Sequence, residues 1–234
     1  MKKYLVVGAL LALATPAGAQ ELFAPFSPLF GGANEPVSTH KFRAEAVRSD
    51  AYEIESSRIA LERSRNPRVR AFARRMIQDH SQTTAALLPQ GAALNATGDV
   101  VPENDPGLLA GGPLGILVAP ITVPVNVIGG TLGGQNILEP RPAQAKRVAI
   151  DPRRAAMLQD LANTPGRRAF EAKYAQQQVV AHQEAVALYA NEAQNGDDDA
   201  ARAFAGQALP VLQDHLGHAV SLDERVGDPS EAAF

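Results

Sequence analysis

Apolar residues recur every three or four positions in two blocks of the chain, which predicts amphipathic helices. In the first block two helices meet at Asn66-Pro67, because a residue that precedes proline avoids the helical region. The second block opens with a short helix at Asp151-Pro152, and its two long helices meet at Asn195-Gly196. We therefore predict an all-α bundle of two helix hairpins, which occupy residues 41–97 and 151–226.

Each of the four long helices has one face that we expect to be buried. In chain order these faces carry Val47, Ala51, Ile54 and Leu61; Val69, Ala73, Met76, His80, Thr83 and Leu87; Ala175, Val179, His182, Val186 and Tyr189; and Ala208, Leu212, His215, Ala219 and Leu222. Three of the four faces thus contain a histidine at a position that is otherwise apolar. Pro210 lies inside the last helix, where we expect a kink.

Residues 98–150 separate the two hairpins and have a different composition. No charged residue occurs from Pro106 to Leu138, and glycine and proline recur throughout. These residues would break a membrane-spanning helix, and irregular backbone that faces lipid is not tolerated. We predict a long, irregular, partly extended crossover that lies against the bundle or self-associates. Contact with a membrane surface, without crossing it, is the alternative.

The first 19 residues have the pattern of a secretory signal peptide. Lys2 and Lys3 precede the short apolar run Tyr4–Ala14, and Ala17-Gly18-Ala19 fits a cleavage site. Residues 20–40, rich in proline and glycine, are expected to form a flexible leader, and residues 227–234 a tail. The chain contains no cysteine, so disulfides and a lipid-anchoring cysteine are excluded. These features predict an exported, periplasmic protein.

The net charge of the chain indicates which class of partner it can bind. The formal charge is −3 and becomes −5 when Lys2 and Lys3 leave with the signal. A nucleic-acid partner would require a basic face, so we expect none. The uncharged crossover instead favours an envelope protein partner, or self-association.

The two hairpins resemble each other, which indicates an internal repeat. Arg70–Ala73 is followed by Gln78–His80, and Arg202–Ala205 is followed by Gln213–His215, in each case after an Asn-containing turn. Two short-looped hairpins joined by one long crossover have the topology of ferritin-like bundles.

Four strings resemble an exported bacterial family known as domain of unknown function 4142: Glu53–Ala60, Phe72–His80, Gln178–His182 and Leu209–Leu216. The resemblance covers roughly residues 42–95 and 151–222. It implies a ferritin-like fold and export, and it implies no activity. The long apolar crossover departs from the family's usual shorter connection.

The candidate chemistry lies on the buried faces. His80, His182 and His215 come from three helices, and Glu53 and Glu55 flank the buried face of the fourth. Imidazole together with carboxylate inside a bundle is a donor set for Zn, Fe, Mn or Cu, so these five residues are the candidate metal ligands.

A carboxylate-bridged di-metal site would need a glutamate three residues before the histidine on two helices, and those positions hold Ile77, Val179 and Leu212. The alternative is that the histidines are structural and bond polar groups such as Gln178, Ser57 or a glutamate.

No catalytic residue or cofactor is assigned by these patterns. The favoured function is a non-enzymatic envelope interaction or structural protein, and the alternative is a periplasmic metal-binding or metal-dependent redox protein. The two interpretations differ in geometry. A metal site requires His80 and His215 to point inward from opposite sides and His182 to reach the same layer.

Overall fold

The computed structural model describes residues 38–105, 118–122 and 145–227. The signal-like segment, nearly all of the predicted leader, most of the crossover and the tail after residue 227 lie outside the described residues. The described part is mostly helical, which confirms the all-α bundle.

Five helices follow the pattern predicted from the sequence: α1 Thr39–Arg63, α2 Pro67–Leu87, α3 Pro152–Asn163, α4 Arg167–Asn195 and α5 Asp199–Gly227. α1 packs mainly on α2, α4 packs on α5, and α1 also contacts α4, so two helix pairs form the bundle. α5 runs through Pro210 as one helix.

Side chains at the helix starts explain the helix boundaries. Asn66 Oδ1 accepts a hydrogen bond from the Arg68 amide at 3.0 Å, and Asp151 Oδ1 accepts one from the Arg154 amide at 3.0 Å. Each cap is followed by a proline whose fixed φ suits the first helical turn. The same residues that interrupt the apolar pattern therefore start the next helix.

A small sheet lies in and beside the crossover, at β1 Ala92–Leu94, β2 Val100–Pro102, β3 Val118–Thr122 and β4 Ala145–Ala149. The strand order is β2-β1-β4-β3, with β1 and β4 parallel and the other two pairs antiparallel. The sequence predicts a partly extended crossover, and β2, β3 and β4 are extended segments within the predicted range. β1 falls inside the range assigned to the first hairpin, because α2 ends at Leu87.

The core has an apolar part and a polar part. The apolar cluster contains Ala60, Val69, Phe72, Ala73, Met76, Leu161, Phe170, Tyr174, Ala175, Ala219 and Leu222. Beside it are buried polar side chains from four helices: Asp50, Glu53, Ser56, Ser57, His80, Ser81, Thr84, Gln177, Gln178, His182 and His215. Burying so many polar groups costs free energy unless they find hydrogen-bond partners or bind an ion. The candidate functional site is therefore sought in this polar layer.

Within the described part of the chain, none of the helices combines the length and apolar character needed to cross a bilayer.

Candidate metal centre

Three helices bring His80, His182 and His215 into one layer of the core. One ring nitrogen from each lies within 4.8 Å of the other two, and the ring centroids are 5.5 Å apart in every pair. All three side chains are almost completely buried. The sequence alone places these residues on three buried faces, and the structure brings them together.

In each ring one nitrogen makes a hydrogen bond, and we call it the outer nitrogen; the other is the inner nitrogen. In His80 and His182 the outer nitrogen is Nδ1. His80 Nδ1 lies 2.8 Å from Asp50 Oδ1, and Asp50 also accepts a hydrogen bond from the Thr84 hydroxyl at 2.9 Å. His182 Nδ1 lies 2.8 Å from the carbonyl oxygen of Gln178, one turn earlier on α4. A carbonyl can only accept, so Nδ1 of His182 carries its proton.

The outer nitrogen of His215 bonds a carboxylate that is partly exposed to solvent. Its Nε2 lies 2.9 Å from Asp79 Oδ2, and this carboxylate also accepts a hydrogen bond from Arg75 Nε at 3.3 Å. Asp79 is 28% exposed, whereas Asp50 is 3% exposed. Of the three imidazoles, His215 is therefore the one whose hydrogen-bond partner reaches solvent.

The three remaining nitrogens have no hydrogen-bond partner: Nε2 of His80, Nε2 of His182 and Nδ1 of His215. Buried polar atoms in proteins are rarely left unpaired, so three such atoms in one layer require an explanation. Metal-ligating histidines typically donate one ring N–H to a carboxylate or carbonyl and leave the other nitrogen for the ion. The pattern here has that form, although each outer contact by itself also fits the structural alternative.

Glu53 lies beside the histidines, and Glu55 does not. Glu53 is 1% exposed, neither of its oxygens has a hydrogen-bond partner, and Oε1 lies 3.7 Å from His182 Nδ1. Its contact is with the outer nitrogen of His182, so it borders the layer and is not one of the three converging groups. Glu55 is 34% exposed and pairs with Arg58 at 3.2 Å.

Burial and neighbouring charges shift the pKa of these groups. Burial raises the pKa of Glu53 to about 7, and the nearby His80 opposes this change. Burial also lowers the pKa of His182 well below the usual histidine value, and His80 adds to the effect. The pKa of His215 is likewise lowered by burial, with Asp79 opposing. His182 and His215 are thus favoured as neutral imidazoles, the form that binds metal ions.

His80 behaves differently because of its carboxylate partner. Burial alone would lower its pKa, but the hydrogen bond and charge of Asp50 outweigh burial and raise it. A carboxylate on the outer nitrogen makes the inner nitrogen a stronger electron donor.

Two residues of this network were not singled out from the sequence. Asp50 occupies a core position of α1, three residues after Val47. A charged residue on an otherwise apolar helix face is unusual, and this feature of the sequence could have identified Asp50 as a functional residue. Asp79 is adjacent to His80 and therefore lies about 100° around the helix from it, which excludes it as a partner of that ring. The same direction brings Asp79 to His215 of the neighbouring helix.

Comparisons with known proteins identify the family and nothing more specific. No curated protein and no solved structure matches the chain. The family model described as Domain of unknown function (DUF4142) matches residues 31–104 and 139–222, which include all three histidines and both glutamates. The chain belongs to this family, as the resemblance of its helix strings predicted.

Proposed function

We propose that this protein binds a transition-metal ion between α2, α4 and α5, through Nε2 of His80, Nε2 of His182 and Nδ1 of His215. Two observations carry the proposal: one ring nitrogen of each buried histidine lies within 4.8 Å of the other two, and each ring has one nitrogen without a hydrogen-bond partner. The proposed activity is ion binding, and no reaction is assigned to it.

The donor set favours a divalent ion of the Zn²⁺, Co²⁺ or Cu²⁺ type. Imidazole nitrogens suit these ions, whereas Mg²⁺ and Ca²⁺ prefer oxygen. At metal–nitrogen bonds of about 2.0 to 2.1 Å, two nitrogens on a tetrahedral ion lie about 3.4 Å apart. A pair at the 4.8 Å limit would therefore approach by about 1.4 Å when the ion binds.

Nearby carboxylates offset the charge of the ion. A divalent cation held by three neutral rings would otherwise be a buried, uncompensated charge. Asp50 and Asp79 supply negative charge through the rings that they contact. Glu53 adds a further buried carboxylate at the border of the layer, 3.7 Å from His182 Nδ1.

We also propose that binding takes place outside the cytoplasm, as the signal-like N-terminal residues predict. A site made only of histidine and carboxylate suits an oxidising compartment, since it contains no thiol to be oxidised. The envelope-interaction function depends on the crossover 98–150, of which the structure describes only parts, and it stays a prediction.

The decisive test compares His182→Leu with the matched control His40→Ala. Leucine removes both ring nitrogens. The one hydrogen bond lost is the bond from His182 Nδ1 to the carbonyl oxygen of Gln178 in the same helix. His40 is exposed, with a side chain that is 60% accessible. Isothermal titration of chelator-treated, untagged protein with Zn²⁺ and Co²⁺ should give about one ion per chain for the wild type and for His40→Ala.

His182→Leu should bind at least about 100-fold more weakly, because losing a ligand costs more than the roughly 10- to 100-fold typical of an outer-shell change. Circular dichroism should show the same helix content in all three proteins. Less than about a tenth of an equivalent on the wild type, or equal affinity of the two variants, would contradict the proposal.

A further inference from the structure

Of the three histidines, His215 has the most exposed hydrogen-bond partner. The partners of His80 and His182 are Asp50, which is 3% exposed, and a carbonyl of the fully buried Gln178. Asp79, the partner of His215, is 28% exposed at the boundary between α2 and α5. His215 therefore connects the three-histidine layer to a carboxylate that is partly exposed.

Outside Asp79 lies a second set of potential ligand atoms. Asp214 is 51% exposed, and its carboxylate Oδ2 lies 3.4 Å from His218 Nδ1. These two residues are one turn of α5 apart, so they share the edge of the helix that faces Arg75 of α2. Oxygen from two aspartates and nitrogen from a histidine form an acceptor group that suits a divalent cation.

The guanidinium of Arg75 occupies this acceptor group. Its Nε lies 3.3 Å from Asp79 Oδ2, its Nη2 lies 2.7 Å from Asp214 Oδ2, and its Nη1 lies 3.2 Å from His218 Nδ1. Nδ1 of His218 also lies 3.0 Å from the carbonyl oxygen of Asp214, so the ring is oriented by its own helix as well as by Arg75. One positively charged side chain thus contacts all three residues that an arriving cation would bind.

We propose that Asp79, Asp214 and His218 form an entry site for divalent transition-metal ions, and that Arg75 closes it. The ion displaces the guanidinium, binds the acceptor group, and passes to the inner nitrogens as His215 releases Asp79. Arg75 therefore controls the rates of binding and release far more than the affinity. This inference rests on the proposed function, since it concerns access to the same three-histidine site.

Stopped-flow mixing of the metal-free mature protein with Co²⁺ tests the gate, with the visible absorption of coordinated Co²⁺ as the readout. Arg75→Gln removes both the charge and the fork of donors. It should raise the association and dissociation rates by about tenfold, within the range by which charge at a site mouth alters association, and should change the dissociation constant less than about threefold.

Arg75→Lys separates the contacts from the charge. It keeps the positive charge but replaces the three-donor fork with a single ammonium, so it should raise both rates by at least about threefold. The matched control is Arg74→Gln, an equal loss of charge at an exposed position one residue away, and its rates should equal those of the wild type.

If either Arg75 variant has the same rates as the Arg74 control, the proposed role of Arg75 as a gate is wrong. The three-histidine site is then still judged separately, by the equilibrium titration described above. If the wild type binds no Co²⁺ at equilibrium, the site and the gate both fail. Arg75 and Asp214 are partly or largely exposed, so these variants are expected to keep the fold.

Discussion

At the scale of single residues, the metal centre depends on groups that do not touch the ion. Asp50 and Asp79 fix the ring orientations of His80 and His215 and leave one nitrogen of each ring free. Loss of such an outer partner typically weakens metal affinity by about 10- to 100-fold.

Replacing Asp50 with asparagine tests this role. The amide keeps the shape of the carboxylate but loses the charge that strengthens His80 as a donor, so Asp50→Asn should weaken Zn²⁺ binding about 10- to 100-fold. Competition with a chromophoric chelator measures the change. Asp160→Asn is the control, because Asp160 forms a surface pair with Lys173 and is 57% exposed on α3. Equal affinities for the two variants would refute the role of Asp50.

The sequence placed the three histidines on buried helix faces, because each occupies a step of a helical stripe that must face the core, and it left open whether they converge. It could not separate Glu53 from Glu55. The two glutamates stand two positions apart on α1, about 200° around the helix, and only packing decides that Glu53 faces the core and Glu55 faces Arg58. The pairing of Asp79 with His215 depends likewise on how α2 and α5 are placed side by side.

At the scale of the elements, short-range chemistry sets the helix boundaries, which is why the sequence predicted them well. Asn66-Pro67 and Asp151-Pro152 act within one helical turn. The sheet was harder to predict, since β1 pairs with β4 at Leu94 and Val148, which are far apart in the chain. Strands of three to five residues carry too short a pattern to show such pairing.

The cap of α3 gives a prediction for stability. Asp151 accepts the Arg154 amide and also forms an ion pair with the Arg154 side chain at 2.7 Å. Asp151→Ala should lower the free energy of unfolding by about 1 kcal/mol or somewhat more, measured by urea denaturation at about pH 7. Asp160→Ala, an exposed change on the same helix, should stay within about 0.5 kcal/mol.

The effect of Asp151 should also depend on pH. Burial tends to raise the pKa of this carboxyl, but Arg154 outweighs burial and lowers it below the ordinary 3.8. The charge-dependent stabilisation is therefore complete above pH 3.8 and disappears as the pH falls through the folded-state pKa. A difference between wild type and Asp151→Ala that grows on acidification would contradict this account.

Two glycines provide a matched test of backbone conformation. Gly166 is the N-cap residue before α4, with φ of +74° and ψ of 140°, a conformation that side-chain-bearing residues avoid. Gly217 lies inside α5 with open space around it. Gly166→Ala should destabilise the protein by about 1–3 kcal/mol, and Gly217→Ala should stabilise it by about 0.5–1 kcal/mol. Thermal and urea unfolding would show the opposite signs, and equal signs would refute the interpretation.

At the scale of the whole molecule, the proposed ion would join α2 to the α4–α5 pair. Contacts between α2 and α5 are sparse compared with those between α4 and α5, so this cross-link would matter most there. The inner nitrogens must also move closer together to share an ion, which draws the three helices toward one another.

Metal binding should therefore stabilise the bundle. At a free Zn²⁺ concentration about 100 times the dissociation constant, the free energy of unfolding should rise by about 2.7 kcal/mol. Hydrogen exchange should slow most in α2, α4 and α5 around the histidines. His182→Leu should show neither effect, and His40→Ala should show both. Stabilisation of His182→Leu equal to that of the wild type would place the ion elsewhere.

The central claim is that His80, His182 and His215 together hold one ion, and anomalous diffraction tests it most directly. Crystals of the protein lacking residues 1–19, grown with one equivalent of Zn²⁺, would be measured above and below the zinc absorption edge. We predict a single strong difference peak about 2.0 to 2.1 Å from Nε2 of His80, Nε2 of His182 and Nδ1 of His215. A well-ordered core with no peak between these rings, or a zinc ion bound only at surface residues, would contradict the account.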